Sequence, residues 1–118
     1  FEMSLESTIF DALKGLVSNR VYPDVAPESA TRPYITYQAV GGQAVNFLDT
    51  TVPSKKNARI QINTWADTRQ AAAALSRQVE DTLRGVAALQ TQVLGAPVSI
   101  YEMDTKLRGA RQDFSVWF

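Results

Sequence analysis

The run Arg59-Ile60-Gln61-Ile62-Asn63-Thr64-Trp65 alternates with a period of two, and within a few residues the periodicity becomes that of a helix. Ile60, Ile62 and Thr64 share one strand face and Arg59, Gln61, Asn63 and Trp65 the other, so Ile60 and Ile62 are expected to face a core. Asp67-Thr68-Arg69-Gln70 fits an acidic capping box: the Asp67 carboxylate accepts from the amide three residues on, and Gln70 reaches back. Ala72, Leu75, Ser76, Val79 and Leu83 follow at helical spacing, Arg77 and Asp81 form an i,i+4 pair, and Gly85 stands just past the end. The spacing predicts a helix over 68–84. A half-buried strand running into an amphipathic helix calls for a sheet with a helix laid on it.

The chain has 118 residues, enough for one core, and residues 3–118 are expected to form a single α+β domain. Phe1 and Glu2 precede a start-like Met3 and are read as an expression remnant. Ser4 is the expected N-cap of a first helix over 5–17, with Leu5, Ile9, Ala12, Leu13 and Leu16 on its apolar face; Gly15 weakens it and Ser18-Asn19 stop it. Pro23, Pro27 and Pro33 make 21–33 an extended loop with little regular pairing. A strand over 34–40 ends at Gly41-Gly42, and a further short strand is expected over 44–48. The polar stretch 49–58, with Pro53, reads as a long hairpin loop. After the second helix, 86–97 is a connector with one further turn near Ala87-Ala88-Leu89. Strands over 98–103 and 113–118 follow, joined by a charged segment containing Lys106, Arg108, Gly109 and Arg111. The order α-β-β-β-α-β-β predicts a mainly antiparallel sheet of four to five strands with two helices packed on one face.

The chain has neither Cys nor His. That removes disulfides, thiolate and imidazole metal sites, Cys nucleophiles and His-dependent acid–base chemistry. Twelve Lys and Arg balance twelve Asp and Glu, so the basic excess of a general nucleic-acid binder is missing. The apolar runs are too short to cross a bilayer and no signal peptide is evident, so folding is expected in the cytoplasm, with no membrane partner. Glu102 and Asp104 are two apart on an expected strand and could share acid–base work, but a solvated sheet face is the better reading. Ser54-Lys55 in a loop tip has no rigid geometry for a nucleophile pair, and Asp49 and Asp104 lack the ligand alternation of a hard-cation loop. Gly41-Gly42 reads as a strand-ending turn. No catalytic, cofactor-binding or metal-binding residue is expected.

Contact residues are easier to name. Lys55 and Lys56, with Arg59 beside them, are the densest positive cluster; they form either a solvated hairpin tip or an arm that meets an acidic surface on a neighbouring subunit. Asp49 opens the same loop. Trp65 lies on the polar face of its strand, where it covers a helix or sits at a subunit contact. Trp117 poses the same choice, because Phe114, Val116 and Phe118 share the opposite face.

The phrases Arg20-Val21-Tyr22-Pro23, Arg32-Pro33-Tyr34-Ile35-Thr36-Tyr37-Gln38 and Arg59-Ile60-Gln61-Ile62-Asn63-Thr64-Trp65-Ala66, in that order before a capped Ala-rich helix, give a likeness that covers nearly the whole chain. In this the chain resembles the small tail-completion proteins of long-tailed bacteriophages and prophages, also called tail terminators or head–tail joining proteins. The resemblance implies a structural protein, not an enzyme. It would bind the head-proximal end of a tail tube, stop tube growth and provide the surface on which the head connector docks. It also implies a six-fold ring around a channel through which DNA passes as cargo, assembled in the host cytoplasm and then part of the virion tail. A ring needs a head-to-tail contact between two unlike patches. The 49–58 arm and the outer sheet face with Trp65 are the expected pair. Two other readings compete: a small-ligand-binding or enzymatic α+β domain whose pocket lies between the 21–33 loop and Glu102/Asp104, and another connector or minor tail protein.

Overall fold

A computed structural model describes residues 5–118; Phe1, Glu2, Met3 and Ser4, and with them the expression-remnant and N-cap readings, lie outside the described residues. Helix α1 (Leu5–Leu13) tightens into a 3-10 turn over Lys14–Leu16. Ser18 and Asn19 then take left-handed backbone conformations, which ends the helix where the sequence places its stop. Strands β1 (Val21–Pro23), β2 (Tyr34–Ala39) and β3 (Asn57–Ala66) come before α2 (Arg69–Arg84). After α2 comes a 3-10 turn over Ala87–Leu89, then β4 (Gln92–Val93), β5 (Val98–Glu102) and β6 (Leu107–Trp117).

The fold is α+β, with one sheet ordered β1-β2-β3-β6-β4 and β5 on the same edge of β6 as β4. Every pairing is antiparallel except β1 with β2. Six strands stand where four to five were expected. Val21–Pro23 is one of the additions: it pairs in parallel with Ile35–Tyr37, inside a segment that its prolines mark as loop. Pro23 stands last on this edge strand, where a missing N–H costs the ladder least.

The expected strand over 44–48 is absent. Gly41 and Gly42 have φ of 122° and 146°, and a Cβ on Gly42 would stand 2.5 Å from the Asn57 carbonyl oxygen. These two glycines take the chain out of the sheet after the Arg59 N–H to Gly41 carbonyl bond, so the residues beyond have no strand to pair with. At the other end of the chain β6 begins at Leu107, well before the expected 113. Arg108, Gly109 and Arg111 therefore lie within a strand flanked by β3 and β5.

Both helices cover one face. Ile9, Leu13 and Val17 meet Leu75, Val79 and Leu83 over Ile35, Ile60, Ile62, Phe114 and Val116, all buried. Ile60 and Ile62 face the core as their alternation predicts. Of the three residues expected on the face opposite Trp117, Phe114 and Val116 are buried, whereas Phe118 is 46% exposed and its backbone pairs with Lys56.

Helix α2 differs from expectation in its polar details. Its N-cap is Thr68, whose side chain accepts from the Ala71 amide at 3.1 Å, while Asp67 pairs with Arg32 at 2.8 Å. Its i,i+4 ion pair is Arg84–Glu80, at 3.3 Å, and not Arg77–Asp81. Buried Gln112 on β6 donates from Nε2 to Glu80 at 2.8 Å and to the Gly95 carbonyl at 2.9 Å, tying α2, β6 and the 94–97 loop together. Both partners are acceptors, which fixes the orientation of the amide. That bond, assisted by Arg84, holds the Glu80 carboxyl below its usual range.

Candidate functional site: two unlike ends of one sheet

By strand parity the face opposite the helices carries Asn57, Arg59, Gln61, Asn63 and Trp65 of β3, paired with Trp117, Ser115, Asp113, Arg111 and Gly109 of β6. Trp65 and Trp117 thus stand on the same side but at opposite ends, about 26 Å apart at roughly 3.3 Å per residue. Both are half-buried. The structure does not bring them together.

Around Trp117 lies the arm, residues 40–56, which links β2 to β3. Its base is held. Lys55 Nζ donates to the Ala88 carbonyl at 2.7 Å, Lys56 exchanges two backbone hydrogen bonds with Phe118, and the Gln43 amide donates to Asn57 Oδ1 at 2.8 Å. Arg59 donates from Nε and Nη2 to Asp113 Oδ2 at 2.9 and 2.7 Å on the outer sheet face. Of the expected cationic cluster, Lys55 and Arg59 are therefore engaged within the chain and Lys56 is exposed. Asp49 accepts from the Thr51 amide at 3.0 Å, and the Thr51 side chain and amide hold its carboxyl below the usual range. The tip presents three apolar side chains to solvent: Phe47, Leu48 and Val52. The Phe-Leu pair in a polar loop was the signal for them, and the expected strand over 44–48 concealed it.

Around Trp65 lies a groove of about 390 Å³ between the 24–30 loop and the outer sheet face. The helices are on the other side of the sheet, so Trp65 covers neither; its ring packs 6.5 Å from Tyr34, and Nε1 points at Thr36 Oγ1, 3.4 Å away. Tyr22 adds an edge contact to Tyr34 at 6.1 Å. Gly109 makes room for the indole, since a Cβ there would lie 2.9 Å from Trp65 Cε3 and 3.0 Å from the Thr64 carbonyl oxygen. Asp24, Glu28 and Glu102 line the groove, together with Arg32, whose charge is met by Asp67. Burial, reinforced by Glu102, raises the pKa of the Tyr34 hydroxyl. Asp104 is not part of the lining: β5 ends at Glu102, and Asp104 sits in the following turn, so the two carboxylates do not share a strand face. Sequence reasoning missed Asp24 and Glu28, because nothing in a proline-spaced loop says which way it folds back.

Among the described residues no three acidic side chains are grouped to hold a metal ion, and no helix is long and apolar enough to cross a membrane.

The same fold occurs in two solved structures. A chain in the "Virion of native gene transfer agent (GTA) particle" superposes with a TM-score of 0.62 at 18% identity, over 97% of this chain and 93% of that one. The "bacteriophage SPP1 gp17 protein" gives 0.57 at 15% identity, over 97% and 88%. No curated protein matches the sequence. The chain belongs to the family of tail completion protein gp17, whose sequence model matches residues 9–118.

Proposed function

We propose that this protein caps the head-proximal end of a phage tail tube as a ring of six copies and joins that end to the head connector. Family membership over 9–118 carries the reading. Residues 3–118 act as one domain, assembled in the host cytoplasm and then held in the virion tail. The chain works by shape, and no bond is made or broken. Two unlike ends on a body 52 Å long and 29 by 24 Å across suit a head-to-tail ring contact, in which each copy offers two different patches. Zero net charge suits a channel wall that DNA must pass without sticking.

The test is electron microscopy of particles made without this gene. Overlong or headless tails are expected, and normal particles would reject the reading.

A further inference from the structure

We propose that the apolar tip of the arm, Phe47 and Leu48, seats in the groove beside Trp65 of the next copy. This rests on the reading of the chain as one that associates with itself, and it names the knob and the hole.

Leu48 is fully exposed and Phe47 half-exposed, on a tip whose base is pinned at Lys55, Lys56 and Gln43. Pinning the base holds the tip out and lowers the ordering cost of docking it. The groove supplies what such a tip lacks: an aromatic floor of Tyr34 and Trp65 under a loop that forms its other wall. Its volume, about 390 Å³, is enough to take one or two side chains. Charge agrees in sign. Over the whole arm, Lys55 and Lys56 at its base outweigh Asp49 at its tip, whereas the groove carries Asp24, Glu28 and Glu102, and its one Arg32 is met by Asp67. That difference steers arm towards groove and keeps arm from arm. Position agrees as well. Arm and groove lie at opposite ends of β3 and neither Phe47 nor Leu48 lines the groove of its own copy, so the contact proposed passes between copies.

Because the chain has no cysteine, introduced thiols report on this contact alone. Leu48→Cys protein and size-tagged Ala26→Cys protein are mixed and oxidised; Ala26 lines the groove. The expected product is the mixed 48–26 dimer in excess over either like-with-like dimer. A chain carrying both substitutions should give trimers and longer species. An equal spread of all three dimers, or no bridge at all, overturns the proposal. In light scattering across a concentration series, Leu48→Asp should weaken self-association by about tenfold or more. The melting temperature of the dilute protein should not change, because the side chain is fully exposed. Unchanged association of Leu48→Asp also overturns the proposal. The two readings fail separately: overlong tails without a 48–26 bridge would leave the capping role and remove this contact, and a bridge with normal particles would do the reverse.

Discussion

At Gly109 a missing side chain decides the shape of the groove. The residue sits opposite Trp65 in the β3–β6 register, and the space its Cβ would occupy is taken by the indole ring, by Ile100 Cγ1 at 2.9 Å and by the Thr64 carbonyl. A backbone oxygen and a ring packed against Tyr34 have little room to retreat. Gly109→Ala should therefore destabilise the fold by about 1–3 kcal/mol, the usual cost of overpacking, and shift Trp emission; chemical denaturation followed by fluorescence measures both. Unchanged stability would mean that the indole moves aside freely. In the sequence this glycine looks like part of a charged linker, between Arg108 and Arg111. Its role becomes visible only once β3 is laid beside it.

Legibility varied between elements according to how local their determinants are. The core face of β3 was readable because alternation is a property of consecutive residues, and α2 because a helix bonds within itself. The first half of β6 was not, since Arg111 is exposed on the outer face, Arg108 stacks 4.0 Å over Tyr101 and Gln112 is buried against Glu80; each looks polar alone and is placed by distant partners. The parallel pairing of β1 was hidden for the same reason, as its partner lies beyond a proline loop. The start of α2 shows the limit of a local pattern that fits twice: Asp67 and Thr68 both suit a cap, and Arg32, far away in sequence, draws Asp67 off. Thr68→Ala should cost about 1 kcal/mol through loss of the cap. Asp67→Ala should cost well under that, because its ion pair with Arg32 is largely exposed. Thermal melts of the two variants check the order, and a larger loss for Asp67→Ala would restore it as the cap.

On the scale of the whole molecule, the buried core lies between the helices and one sheet face, and the other face and the arm stand outside it. Arm residues 44–54 contribute no buried side chain, whereas Lys56 and Asn57 belong to the ladder and its polar bonds. Replacing 44–54 by a short Gly-Ser link should therefore leave the melting temperature within a few degrees of the parent while self-association is lost, as calorimetry and light scattering would show. A large drop in melting temperature would place the arm within the folding unit. The candidate contact residues were readable as types, a cationic loop and two outward tryptophans. Their distribution was not, because which end of a strand a loop occupies depends on the order of the sheet.

That distribution has a geometric corollary. When a knob at one end meets a hole at the other, no twofold axis relates neighbouring copies, and a closed circle of them has a front that differs from its back. Such a circle can recognise one kind of object on its upper side and another on its lower side without any copy changing shape, and it cannot be installed upside down.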